Sequence, residues 1–180
     1  MRRHLLSPQG QFPTAGLVRR LAAMFYDSLL CIALMMVVTL LYQQVLLRLL
    51  YGSEQLQQLA DAGRLDIDPL LSTLLLFSLF GFFAKFWTHS GQTLGMQVWR
   101  IRIENLDGTA VSWTQALIRY VTASAVVFLA MLGGYYLGAA TLFISIPAII
   151  ALFLPINGLS VTDRMSNSVV VQVPKPPKSA

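Results

Sequence analysis

The chain has 180 residues, 56% of them hydrophobic and only 12% charged, with a formal net charge of +5. A soluble domain carries about 25% charged residues, and its surface must face water, which excludes apolar runs as long as those found here. A single cysteine, Cys31, excludes a disulfide framework and a cysteine zinc site.

Residues 1–15 read as a basic, irregular lead containing Pro8, Gly10 and Pro13. An apolar run then predicts a first span over residues 21–47, longer than the roughly 30 Å hydrocarbon core requires. It is too long for the apolar core of a cleaved signal, so it is expected to act as an uncleaved anchor. Residues 50–69 are polar, and Ser53 as N-cap with Gly63 as stop predicts a short helix on the membrane surface. A second span follows over 70–87, with Lys85 snorkelling and Trp87 as an interfacial anchor.

The character changes at residue 88. Val98, Arg100 and Arg102 alternate with Trp99, Ile101 and Ile103, a strand pattern whose arginines are expected on a solvated face. Asp107-Gly108 predicts a tight turn and residues 110–113 a short return strand. Residues 169–173 form a second β-like run, expected to pair in a small sheet. Residues 116–156 are apolar over about twice the length of one span. Gly133, Gly134 and Gly138 around Tyr135-Tyr136 predict a tight hairpin, dividing this run into spans 116–132 and 139–154; Gly134 and Gly138 also match a helix-packing spacing. Residues 174–180 read as an extended, disordered tail.

Charge placement orients these spans. Arg2, Arg3, Arg19, Arg20, Lys85, Arg100, Arg102, Arg119, Arg164, Lys175 and Lys178 fall on one side of a four-span arrangement, and only Arg48 and Arg64 on the other. Basic loops stay in the cytoplasm, so both termini are expected there. The fold class expected is an all-α membrane protein: a four-helix transmembrane bundle over residues 16–173 with a small cytoplasmic β-hairpin or sheet.

Asp27 is the first candidate functional residue, because a carboxylate inside an apolar span needs a partner or water. Arg20 lies seven residues earlier on the same helical face. Arg119, Asp163 and Arg164 are expected at similar depth, so Arg20, Asp27, Arg119, Asp163 and Arg164 are predicted to form one buried polar cluster. Such a cluster either holds the helices in register or forms an ion or proton pathway. His4 and His89 lie far apart in sequence with no cysteine partner, and no metal site is expected. The segment GQTLG at 91–95 lacks the lysine of a phosphate-binding loop. No nucleophile-elbow serine is present, so no enzyme activity and no cofactor are expected; no basic patch is interleaved with aromatics, so no nucleic-acid partner is expected.

Three segments resemble the RDD family of bacterial membrane proteins, named for an arginine and two aspartates. Residues 16–27 (GLVRRLAAMFYD) resemble its opening signature, with Arg20 or Arg19 and Asp27. GQTLG at 91–95, the strand and turn over 101–108, and Ala116 to Tyr120 around Arg119 resemble the middle one. Residues 162–171 (TDRMSNSVVV) resemble the closing one, with Asp163 as second aspartate. Two segments depart: Met96 stands where lysine is common, and Met165-Ser-Asn-Ser168 where Leu-Ala-Gly-Thr is common. The resemblance implies an inner-membrane location and a transport role, with sodium/proton exchange associated with some members. The function expected is small-cation transport through the Arg/Asp cluster, in the lipid bilayer and as a homo-oligomer or with a membrane-protein partner. The alternative is a non-catalytic subunit aiding assembly or stability of a larger membrane complex.

Overall fold

The computed structural model describes residues 4–49, 69–138, 147 and 150–174. Among the described residues three helices are long and apolar enough to cross a membrane, over Leu17–Val45, Pro69–His89 and Trp113–Tyr136. The first comprises α1 (Leu17–Leu41) and most of a π-helical segment, Tyr42–Leu47, that continues it. The second is α2 (Pro69–His89), which opens on proline, a residue suited to the first helical turn. A lipid environment requires each span to satisfy its own backbone hydrogen bonds, and uninterrupted helices do so. Phe25, Met36, Phe77 and Phe128 are all exposed on these helices, an arrangement costly in water and favourable in lipid.

The third long helix is α4 (Trp113–Leu137). Ser112 caps it in a reciprocal box with Gln115, each side chain bonding the other's backbone N–H. Of the hairpin predicted over Gly133–Gly138, residues 133–137 are instead helical, and the helix ends at Gly138, which has φ 84°. A glycine inside a helix costs only about 1 kcal/mol relative to alanine, less than an opened backbone in an apolar medium. Of the predicted fourth span, residues 139–146, 148 and 149 lie outside the described residues, and residues 150–153 are helical. The predicted surface helix at 53–63 and the tail from residue 175 also lie outside the described residues.

The chain divides into two compact units, Ser28–Phe82 and a second made of Met1–Asp27 with Phe83–Ala180. In the first, the described residues are helical, with Leu29, Ile32, Met36 and Leu76 exposed. The second unit carries the remaining elements: α3 (Leu94–Val98), β1 (Ile101–Glu104), α5 (Val161–Met165) and β2 (Val169–Gln172). β1 pairs antiparallel with β2, Ile101 opposite Gln172 and Glu104 opposite Val169. The predicted return strand at 110–113 does not form: Thr109 makes an isolated bridge to Leu5, and Ser112 is already the cap of α4.

The N-terminal lead is tied to this sheet. Ala15 N–H donates to the Val170 carbonyl and Gln172 N–H to the Pro13 carbonyl, both at 2.8 Å, so residues 13–15 line the free edge of β2. Val169, Val171 and Val173 pack against Phe12 and Leu159. All four residues of β1 are buried, Arg102 among them at 2% exposure. This corrects the expectation that Arg102 sits on a solvated face; of the two arginines only Arg100 is exposed.

Two glycines fix the entry to β1. A Cβ on Gly91, which has φ 71°, would meet the Ile103 carbonyl at 2.5 Å. A Cβ on Gly95 would collide with the Ala23 carbonyl and stand 2.8 Å from Asp27 Oδ1, so α3 approaches α1 only because residue 95 lacks a side chain. Gly95→Ala should therefore destabilise the protein by about 1–3 kcal/mol, as overpacking does. Gly81→Ala, with nothing within 4 Å of the new carbon, should leave stability unchanged or slightly raised. Thermal unfolding of both variants in detergent, compared with wild type, checks the contrast.

Candidate functional site

Asp163 is 1% exposed and receives two arginines from two different long helices. Arg20 of α1 donates from Nη1 to Oδ2 at 2.6 Å, and Arg119 of α4 donates from Nη2 to Oδ1 at 2.5 Å. The local sequence sets the carboxylate in place. Ser160 caps α5, its Oγ accepting from Asp163 N–H at 3.3 Å, while Asp163 Oδ2 accepts from Ser160 N–H at 3.0 Å. The same carboxylate thus completes a capping box and binds both guanidinium groups.

Buried hydroxyls and one carbonyl serve most of the remaining donors, while Arg20 Nη2 is buried with no hydrogen-bond partner among the described residues. Arg20 Nη1 also reaches Ser160 Oγ at 3.2 Å, and its Nε donates to the Ala15 carbonyl at 3.0 Å. Arg119 Nη1 donates to Ser168 Oγ at 2.7 Å and Ser166 Oγ at 3.3 Å. Burial alone would oppose ionisation of Asp163, but Arg119, Arg20 and the Ser160 N–H together outweigh it and hold the carboxyl below its ordinary range. The tight turn after α5 uses Asn167 at φ 47°. Asparagine is among the residues that best tolerate this left-handed region.

Asp27 is also buried, at 5% exposure, but its partners are neutral. Thr93 Oγ1 donates to Oδ2 at 2.5 Å, and Gly95 N–H donates to Oδ1 at 2.9 Å. Thr93 is itself the N-cap of α3, accepting from Met96 N–H at 3.2 Å. Among the described residues no arginine, lysine or histidine forms an ion pair with Asp27.

The predicted single cluster is therefore two sites. Arg20, Arg119 and Asp163 meet; Asp27 stands apart on Thr93 and Gly95; Arg164 is exposed, donating from Nη2 to the Ile156 carbonyl at 3.1 Å. The roles of Thr93, Gly95, Ser160, Ser166 and Ser168 escaped the sequence reading, although GQTLG and the serine spacing before and after Asp163 stood beside its candidate residues. The structure also joins His4 and His89, His4 Nε2 lying 2.7 Å from the His89 carbonyl. No group of three potential metal ligands occurs among the described residues.

A family model described as the RDD family matches residues 14–167, a stretch that contains both aspartates and their direct partners. No curated protein and no solved structure matches the chain. The match covers most of the sequence, and the chain belongs to the RDD family.

Removing the shared carboxylate strands two buried guanidinium groups. Asp163→Ala should cost about 3–5 kcal/mol, the range for breaking a buried pair from one side. Because the Asp163 pKa is depressed in the folded state, its stabilisation is present above the ordinary carboxylate value of about 4 and is lost as pH falls through the depressed value. The unfolding midpoint of wild type should accordingly drop on acidification below about pH 4, and Asp163→Asn should flatten that drop. Thermal melts across pH in detergent measure both.

Proposed function

We propose that this RDD-family membrane protein moves a small cation, a proton or sodium, across the bacterial inner membrane, with Asp27 as the exchanging carboxylate. The supporting observation is the contrast between the two buried aspartates. Asp163 is neutralised by two arginines in fixed hydrogen bonds, and so has no free capacity for a cation. Asp27 is also buried and holds only a hydroxyl and a backbone N–H. A buried carboxylate without a counter-ion is completed by a proton or a small cation, which is the property a transport site needs.

In this reading Arg20, Arg119 and Asp163 are the rigid frame. Arg20 is on the same helix as Asp27 and positions α1 without touching the exchanging group. Both termini face the cytoplasm, as the placement of basic residues favours. A chain this small encloses little volume for a pathway, so transport requires a second copy or a membrane-protein partner.

The test is flux in liposomes. Purified wild type should dissipate an imposed proton or sodium gradient, read by a pH-sensitive dye or by sodium uptake. Asp27→Asn retains an acceptor for Gly95 N–H and a polar group for Thr93, so its unfolding midpoint should stay within a few degrees of wild type while flux falls to the level of empty liposomes. Absence of flux in wild type, together with stable co-purification of another membrane protein, would replace this reading with that of a non-catalytic subunit.

A further inference from the structure

The short helix α3 is turned the wrong way for water. Its buried residues are Gly95 and Met96, and on that side it meets a carboxylate. Gly95 N–H donates to Asp27 Oδ1, and its N-cap Thr93 donates from Oγ1 to Asp27 Oδ2. Its outer side carries Leu94 and Val98, 44% and 59% exposed and one helical turn apart, with Gln97 beside them. A helix against water shows the reverse, with its apolar stripe inward and its polar partners outward.

This outer side continues a surface that α1 already presents to lipid. Trp99 follows Val98 and meets the ring of Tyr26 edge-on, with centroids 6.4 Å apart; Tyr26 meets Phe25, also edge-on, at 6.4 Å. Phe25 and Tyr26 are both exposed on α1. The row Phe25, Tyr26, Trp99 and Val98 thus leads from the first span onto α3.

Depth points the same way. The span that contains α1 has 29 residues, about 43 Å of helix against a hydrocarbon core of roughly 30 Å. α3 packs on it at Ala23 and Asp27, about 9 and 15 Å along the axis from Leu17. If the whole excess of about 13 Å projected from the membrane at this end, α3 would still reach the edge of the hydrocarbon. Any smaller projection places it deeper. Arg100 stands exposed just after α3, and Arg19 Nη1 donates to the Trp99 carbonyl at 3.2 Å. Arginines at such a boundary lay their stems on apolar surface and carry their charge to the headgroups.

We infer that α3 is an interfacial membrane helix, with Leu94 and Val98 among the acyl chains of the adjacent leaflet and Arg100 at its phosphates. The segment between the second span and β1 therefore returns to the lipid, and α3 stands between Asp27 and the acyl chains. The inference holds whether or not Asp27 carries a cation.

Fluorescence quenching on the full chain tests it. Leu94→Cys and Val98→Cys are made in a Cys31→Ser background, labelled with a small environment-sensitive fluorophore, and reconstituted in vesicles of phosphatidylethanolamine and phosphatidylglycerol. Lipids with a nitroxide on the acyl chain near the headgroup should quench both labels about as strongly as a label at Phe25→Cys. Iodide on both faces of the membrane should quench them roughly fivefold less than the free label in buffer, because an interfacial helix buries its apolar face below the headgroups. Both positions are exposed in the protein, so the unfolding midpoint in detergent should match that of Cys31→Ser. Should a label at either position unfold the protein, Gln97→Cys, exposed on the same helix, replaces it. Iodide quenching equal to that of the free label places α3 in water and overturns the inference. Quenching by neither agent also overturns it, by placing α3 under protein such as a second copy of the chain.

Discussion

One carboxylate, that of Asp163, is held at the same time by α1 and α4 through Arg20 and Arg119. Much of the surrounding structure is arranged to permit this. The capping box of α5 places the carboxylate, and three serines and the Ala15 carbonyl take further guanidinium hydrogens, leaving Arg20 Nη2 without a partner among the described residues. The left-handed turn at Asn167 then carries the chain straight into β2. A buried ion network of this kind adds little net stability over well-packed apolar side chains. What it adds is selectivity of arrangement, because a shift of either long helix by one turn would leave a buried charge without a partner.

The Asp27 site works by a different rule. Its hydrogen bonds run to the start of α3, a helix of five residues whose own cap, Thr93, is one of the two donors. Thr93 therefore receives a bond from Met96 and gives one to Asp27, and Gly95 permits the approach by having no side chain. This ties α3 to α1 through neutral partners of Asp27, beside a bond from Arg19 Nη1 to the Trp99 carbonyl at 3.2 Å. Neutral contacts hold position without fixing charge, whereas the contacts of Asp163 fix both.

The sequence makes the long spans plain, because an apolar run longer than the bilayer is thick would be costly on any surface that faces water. It also marks Arg20 and Asp27, since charges stand out in such runs. Partner choice is less legible. Helical spacing relates Arg20 to Asp27 on one helix, but which carboxylate Arg20 meets depends on where Asp163 arrives from 143 residues away. Arg102 illustrates a second limit. Alternation along β1 implies one wet face only if nothing covers it, and the lead that covers it has the composition of an irregular segment. Thr93 was readable in principle as a helix cap, because threonine precedes a short apolar segment, yet its bond to Asp27 joins positions 66 residues apart.

The buried charges themselves link the two aspartates. Among the described residues the buried cations are Arg20, Arg102 and Arg119, and the buried carboxylates are Asp27, Glu104 and Asp163. Arg102 is matched with Glu104, and Arg20 with Arg119 shares Asp163, which leaves one guanidinium in excess and Asp27 as the carboxylate with no cation in contact. Arg20 and Asp27 are seven residues apart, about 10 Å along the helix axis. At that separation two unit charges interact by roughly 1–2 kcal/mol at an effective dielectric near 20, against about 4 kcal/mol in contact. The excess charge is thus close enough to balance Asp27 in sum but too far to lock it. A carboxylate compensated at a distance can bind and release a proton or cation at modest cost, whereas one compensated in contact cannot, and this difference separates the two buried aspartates.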